Sequence, residues 1–464
     1  MKNNIVVGLD IGTTKIAAIV AKKNDYGKVE ILGIGTSPSA GVLRGSVMNI
    51  DKTVESIRAA IDEAQVRSGE TIKEVYVGIA GQHIKSFQRS SKIDRLNNED
   101  EITVDEVNDF IARMKKIQVD SGDVILHVIP QEYIVDDIHG IKDPVGMFGH
   151  RLAANFHIIT GQDSAIRNIV RSVEKAGLVV KDLTLEPLAS AAAVLDNNDL
   201  MAGVALVDIG GGTTDIAIYQ DEKLRHTAVI ALGGNIITED IQGGCQILEP
   251  QAKKLKENFG SAIQSENKAD AIVAIPGLRG REPREVSIKN LSGIIQARMV
   301  EIMEAALFEI AASGFEKKLI AGIVLTGGGA LLKHVQQLTE FVSHMDTRIG
   351  YPNEHLSASE SNQHIANPIY ATGVGLVIMG LLKEEREMAE KEELITPPVE
   401  ETPVEQELPA TINEKPKKEP KTPKAPKVPK PARHSTSLKD RFNTIFEKTG
   451  SILENFLNDM DNDR

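Results

Sequence analysis

Two short stretches carry the residue types that hold phosphate. Residues 10–15 read Asp-Ile-Gly-Thr-Thr-Lys, and residues 208–215 read Asp-Ile-Gly-Gly-Gly-Thr-Thr-Asp. Glycines at a hairpin tip let successive N–H groups converge on one point with no Cβ in the way. Gly12, Gly210, Gly211 and Gly212 supply that bare backbone, and Thr13, Thr14, Thr213 and Thr214 add hydroxyl donors. Lys15 adds a point charge suited to phosphate. An aspartate does not favour a phosphate by itself. Asp10 and Asp208 make sense if Mg²⁺ stands between acid and phosphate, bound through waters. Either motif alone would equally suit a tight hairpin with a capping aspartate. Two matched copies, 198 residues apart and each between apolar runs, favour a phosphate cradle built from duplicated domains. No G-x-x-x-x-G-K-[ST] or G-x-G-x-x-G loop is present.

Three further segments belong with these turns. Gly327, Gly328 and Gly329 follow the apolar run at 322–326 and precede a helical pattern. They would let a base or ribose lie against the backbone, or simply turn the chain. Glu186 precedes Pro187 at a helix start, placed either to orient a water or to cap the helix dipole. The small residues of 185–195 and 367–382 allow close helix packing, as a hinge between two domains requires.

The elements that must position these residues alternate between strand and helix, an α/β pattern. Residues 4–12 and 15–23 read as a hairpin, 52–68 as a helix ended by Gly69, 74–81 as a strand, and 162–176 as a helix ended by Gly177. The whole chain has 464 residues, 41% hydrophobic, enough for more than one core. A net charge of −13 and the absence of Trp argue against a nucleic-acid partner. A single cysteine, Cys245, excludes an internal disulfide, suits a reducing compartment and reads as a small buried apolar residue. The first ten residues read as a strand rather than a signal peptide, and no segment is apolar enough to span a bilayer, so the expectation is a soluble, cytosolic protein.

The composition changes near Lys383. Residues 383–436 hold ten of the 19 prolines and read as a disordered linker. Its first part, 383–414, carries about −8 and its second, 415–433, about +7. Beyond it, in residues 437–460, Leu438, Phe442, Ile445, Phe446, Ile452, Leu453, Phe456, Leu457 and Met460 recur with helical period, an amphipathic helix on a tether. Such a helix, marginal alone in water, fits a membrane surface.

In order along the chain, these segments resemble the two phosphate motifs, adenosine motif and two connecting segments of the actin, sugar kinase and DnaK-type ATPase superfamily. Within it the chain resembles the FtsA family of bacterial cell-division actin homologues. The segment 84–159 is similar to the subdomain that FtsA inserts and actin lacks, residues 281–302 resemble the exit from its upper second-domain lobe, and the tail resembles its membrane-targeting end. The resemblance implies an actin-like two-domain ATPase fold with a nucleotide cleft between duplicated halves, an inserted subdomain, a linker and a C-terminal amphipathic helix. It implies a first domain of residues 1–83 and 160–203, with 365–382 returning to it, and a second of 204–364 with an upper lobe at 234–301.

It also implies ATP binding with weak hydrolysis at most, contact of Lys256 with the nucleotide, and self-association into filaments. The implied partners are FtsZ, membrane lipids on the cytoplasmic face at the division site, and other division proteins. An excess of basic residues at Arg281, Arg284, Lys289 and Arg298 marks the expected dock for the FtsZ tail. A sugar or acetate kinase would share the cleft but has no evident use for a tethered helix. A DnaK-type chaperone needs a β-rich domain that the remaining residues cannot supply, and an MreB-type filament lacks the insertion.

Overall fold

The computed structural model describes residues 5–95, 99–268, 270–277, 282–353, 355–357 and 364–395. The chain opens with strands β1 (Ile5–Ile11), β2 (Lys15–Lys23) and β3 (Val29–Pro38). Short strands β4 (Val42–Leu43) and β5 (Ser46–Val47) precede helix α1 (Ile50–Ser68), and β6 (Glu74–Ile79) follows it. Next come β7 (Ile84–Asp94), α2 (Val104–Met114), β8 (Asp123–Val135), β9 (Ile138–Ile141) and β10 (Arg151–Gln162). Helix α3 (Asp163–Lys175), β11 (Val179–Leu185), α4 (Glu186–Val194) and α5 (Asn197–Ala202) lead into β12 (Val204–Ile209), β13 (Thr214–Gln220) and β14 (Lys223–Ile230). The remainder is α6 (Gly234–Cys245), α7 (Glu249–Phe259), β15 (Ile272–Ile275), β16 (Arg284–Ser287), α8 (Ile288–Ala312), β17 (Ile323–Thr326), α9 (Val335–Ser343), β18 (Thr347–Ile349) and α10 (Ala371–Ile395).

The sequence repeat extends to the sheets. One five-stranded sheet runs β3-β2-β1-β6-β11 and the other β14-β13-β12-β17-β18. In each, an antiparallel hairpin is followed by a parallel neighbour, β6 on β1 and β17 on β12. The registers match too: Ile11 pairs with Ile16 at one tip, and Ile209 with Thr214 at the other. β1, β2 and β12 are buried along almost their whole length, as sheets covered on both faces must be.

Local signals set the helix ends. Asn49 caps α1 by accepting from the Lys52 N–H, and Gly69 closes it at φ +71°. Thr103 and Glu106 form a reciprocal capping box on α2. That helix covers one face of the sheet β7-β10-β8-β9, where Phe110 meets Phe156 edge-on at 5.2 Å. The inserted segment thus has its own small core of Ile102, Phe110, Leu152, Phe156 and Ile158.

This segment also touches the second sheet. Ser86 donates to the Thr227 carbonyl at 3.1 Å, and Gln131 Nε2 donates to the Leu224 carbonyl at 2.8 Å. Lys223 donates in return to the Gln131 carbonyl.

Two expectations are corrected. Residues 383–395, expected as the start of the linker, belong instead to α10, which runs on to Ile395. Residues 383–395 contain no proline and are rich in helix formers. Their start is fastened by Lys383 to Asp182 (2.7 Å), Lys23 to Glu385 (2.6 Å) and Tyr76 to Glu384 (2.9 Å). The glycine cluster at 327–329 opens a single 3-10 turn, Gly328–Leu331, and the regular helix starts only at Val335. Cys245 is a free, buried core residue. The amphipathic stripe at 438–457 lies outside the described residues.

Candidate functional site

The two glycine-threonine turns face each other. Each is closed by the same bond, Gly12 N–H to the Lys15 carbonyl (3.1 Å) and Gly210 N–H to the Thr213 carbonyl (2.9 Å). A Cβ on Gly211 would lie 2.4 Å from Thr14 Cγ2, and one on Gly212 would lie 2.5 Å from Thr13 Oγ1. Only bare backbone permits that approach.

Between and below the turns lies a cavity of about 500 Å³. Its walls include Asp10, Gly12, Thr13, Thr14, Lys15, Glu186, Asp208, Gly210, Gly211, Gly212, Thr213 and Asp215. Lys256, Gly327, Gly328 and Gly329 line the far end. Fifteen of the sixteen residues assigned from sequence to the cleft therefore share one space. The exception is Thr214. Strand alternation turns it away, its side chain is fully buried, and its hydroxyl donates to the Leu232 carbonyl at 2.8 Å. It is not a phosphate donor.

Gly327 adopts φ +79°, and a Cβ there would lie 2.2 Å from Asp208 Oδ1. Gly328 meets only Ile369 Cγ2, at 3.8 Å, so its face is open to the cavity. Lys256 donates to Thr238 Oγ1 at 2.8 Å and to the Gly234 carbonyl. Burial pulls its ammonium down to about 8.

The cavity floor is acidic. Asp10, Asp208 and Asp215 are all buried. Burial, offset partly by Lys15 and reinforced by Asp208, raises the Asp10 carboxyl to about 6. Burial and then Asp208 raise Asp215 to about 8. Glu186 is pushed well above the carboxylate range by burial and by Asp10, Asp215 and Asp208. Asp208 is raised less freely, because hydroxyls of Ser190 (2.6 Å) and Thr372 (3.4 Å) donate to its Oδ2. Asp215 Oδ2 accepts from Thr213, while its Oδ1 is buried with no partner. An orphaned carboxylate oxygen among three other acids marks a place where positive charge or water belongs. Among the described residues, no three acids, histidines or cysteines are arranged to grip an ion directly. The donor set suits a cation held through water and ligand oxygens.

Sequence reasoning missed Ser190, Thr372 and Asp215 as parts of the site. Ser190 sits on α4 and Thr372 on α10, in segments read only for their small size. These helices cross so closely that a Cβ on Gly375 would lie 1.7 Å from the Ala189 carbonyl. Close crossing brings both hydroxyls to one carboxylate, and Ser190 and Thr372 stand 3.0 Å apart. Asp215 could have been found from the repeat: its counterpart across the first hairpin, paired with Asp10, is Ala17.

The described basic residues expected to receive a partner differ in their surroundings. Arg284 is exposed and bonds Gln246, and Lys289 is exposed. Arg298 is occupied by Asp240 at 2.6 and 3.1 Å and by Glu301. Arg281 lies outside the described residues.

Duplicated sheets with a cleft between their hairpins define the actin-like ATPase fold. A solved chain of the PilM-PilN type IV pilus biogenesis complex shares it, with a TM-score of 0.57 at 16% identity, covering 81% of this chain and 98% of that one. The profile of Cell division protein FtsA matches residues 205–375, and that of the SHS2 domain inserted in FTSA matches residues 81–160. Cell division protein FtsA of Pseudomonas aeruginosa is 38% identical over 380 residues, 82% of this chain and 90% of the relative. The Borreliella burgdorferi protein is 39% identical over 380 residues, 82% of this chain and 91% of the relative. That of Bacillus subtilis is 35% identical over 375 residues, 81% and 83%. The chain belongs to the FtsA family of cell-division proteins. Among its described residues no helix is long and apolar enough to cross a membrane.

Proposed function

We propose that this chain binds ATP with Mg²⁺ in the cleft and tethers FtsZ to the cytoplasmic face of the cell membrane at the division site. The observation that carries the nucleotide half is the pair of facing turns over an acidic floor. Backbone N–H groups and Thr13, Thr14 and Thr213 would surround the phosphates, with Lys15 beside them. Asp10 and Asp208 would hold the hydrated cation, which neutralises charge on the phosphates. The adenosine end would rest on Gly327, Gly328 and Gly329, with Lys256 opposite. Glu186 would orient a water. Its raised proton affinity favours the protonated carboxyl, which cannot take a proton from water until it has lost its own, in keeping with slow hydrolysis.

The tether half rests on family membership and on the tail's sequence. A groove of about 450 Å³ in the upper lobe is lined by Ile247, Leu248, Ile275, Pro276 and Arg284. Gln246, Gln251 and Glu282 line it as well, so the fit is to its apolar part with the exposed Arg284, which suits the short, apolar and partly acidic tail that the family resemblance implies for FtsZ. A dock in this groove would use Arg284 rather than Arg298, which Asp240 and Glu301 already hold. The stripe from Leu438 to Leu457 would enter the membrane interface, with the basic stretch at 415–433 attracted to anionic lipid. Actin-like self-association would multiply weak helices into firm attachment.

The deciding experiment is co-sedimentation with anionic liposomes, with and without FtsZ. The full chain should pellet and carry FtsZ with it. Phe442→Glu combined with Phe446→Glu should stay in the supernatant while still binding ATP. A double variant that still pellets refutes the membrane reading, and a full chain that pellets without recruiting FtsZ refutes the tether.

A further inference from the structure

Lys15 is held by a short turn that contributes to the wall of the same cavity. Its Nζ donates to the Ile369 carbonyl at 2.9 Å and stands 3.9 Å from the centroid of the Tyr370 ring. Both partners lie on one 3-10 turn, Pro368–Tyr370, at the entry to α10. That turn is itself fixed. The Asn367 side chain accepts from the Ile369 N–H at 3.0 Å, and the Asn367 carbonyl accepts from the Tyr370 N–H at 2.9 Å. Pro368 is buried.

A lysine ammonium is a compact charge on a flexible stem, with three donors and no preset direction. Here one donor is used by the carbonyl. The ring face attracts the charge without using a donor. Two donors remain for the cavity, on a side chain that no longer has to be ordered when a ligand arrives. Burial pulls the Lys15 ammonium below the ordinary lysine range, opposed by Asp10 and Asp208. An aromatic face is a further partner that favours the charged form without adding a carboxylate next to the phosphate.

We propose that Tyr370 is a positioning residue for phosphate recognition: its ring, with the Ile369 carbonyl, presets Lys15 toward the phosphates of the bound nucleotide. The proposal rests on the reading of the cleft as the ATP site. The competing role for Tyr370 is packing, since it also lies against the core cluster beneath α10. Leucine keeps apolar volume there and removes the ring face.

The test is calorimetric titration of the full chain with ATP, ADP and adenosine. Tyr370→Leu should bind ATP and ADP about 3- to 10-fold more weakly, with adenosine unchanged, as loss of one partly desolvated cation–π contact implies. Tyr370→Phe should stay within about twofold of the parent, because the ring rather than the hydroxyl does the holding. In a Lys15→Met background, Tyr370→Leu should add no further loss. An equal loss for adenosine, an unchanged ATP affinity in Tyr370→Leu, a marked loss in Tyr370→Phe, or additivity with Lys15→Met would each overturn the proposal. A parent chain that binds none of the three ligands would instead overturn the nucleotide reading, and this inference with it.

Discussion

Replacing Asp215 by Asn should stabilise the nucleotide-free protein. The carboxyl is buried, one oxygen has no partner, and Asp208, Asp10 and Glu186 crowd the same floor. Its proton affinity rises from 3.8 to about 8 on folding. A raised folded value means that the group favours folding fully below pH 3.8 and loses that contribution as pH rises through 8. At pH 7 the accumulated cost is at most roughly 4 kcal/mol. Asparagine keeps the shape and can still accept from Thr213, but carries no charge. With relaxation and water entry, about half of that figure should be recovered, on the order of 2 kcal/mol. For a folded part of this size that is a rise of about 2–3 °C in Tm. The assay is calorimetric melting in EDTA without nucleotide, from pH 5.5 to 8. The advantage of Asp215→Asn should grow with pH, by up to about 1.4 kcal/mol per unit. A variant that melts lower than the parent, or an advantage that does not change with pH, refutes the reasoning.

Asp10→Ala and Gly328→Asp should each abolish ATP binding, the first by removing a carboxylate that holds the cation and the second by placing a side chain in the open slot beside Ile369; titration with a fluorescent ATP analogue checks both. Glu186→Ala should bind ATP like the parent and hydrolyse it more slowly, read by phosphate release; a faster rate would remove Glu186 from the chemistry. Arg284→Glu should weaken binding of an FtsZ tail peptide about tenfold, whereas Arg298→Gln, taken from an ion pair already made, should change it less than about threefold.

What was legible in the sequence follows from what depends on few residues. A glycine-threonine turn after an apolar strand is a local device, and its repetition after 198 residues exposed the duplication. Which face a side chain takes was not legible. Thr213 and Thr214 are equivalent as letters, but the two-residue period sends one to the cavity and the other to Leu232. Ser190 and Thr372 were hidden for a different reason. Small residues signal that two helices approach, not which atom stands at the crossing, so their convergence on Asp208 required the fold. The extension of α10 to Ile395 was obscured by charge, since a Glu/Lys-rich stretch reads as solvated linker until Asp182 and Tyr76 are seen to meet it.

The inserted segment leaves the first sheet after β6, returns to it at α3, and meanwhile bonds β14 at the margin of the second. The two halves are therefore joined at a third place besides the α4 and α10 crossings. A pair of plates on one hinge can gape freely; a pair with a strut across the margin cannot gape without straining or releasing the strut.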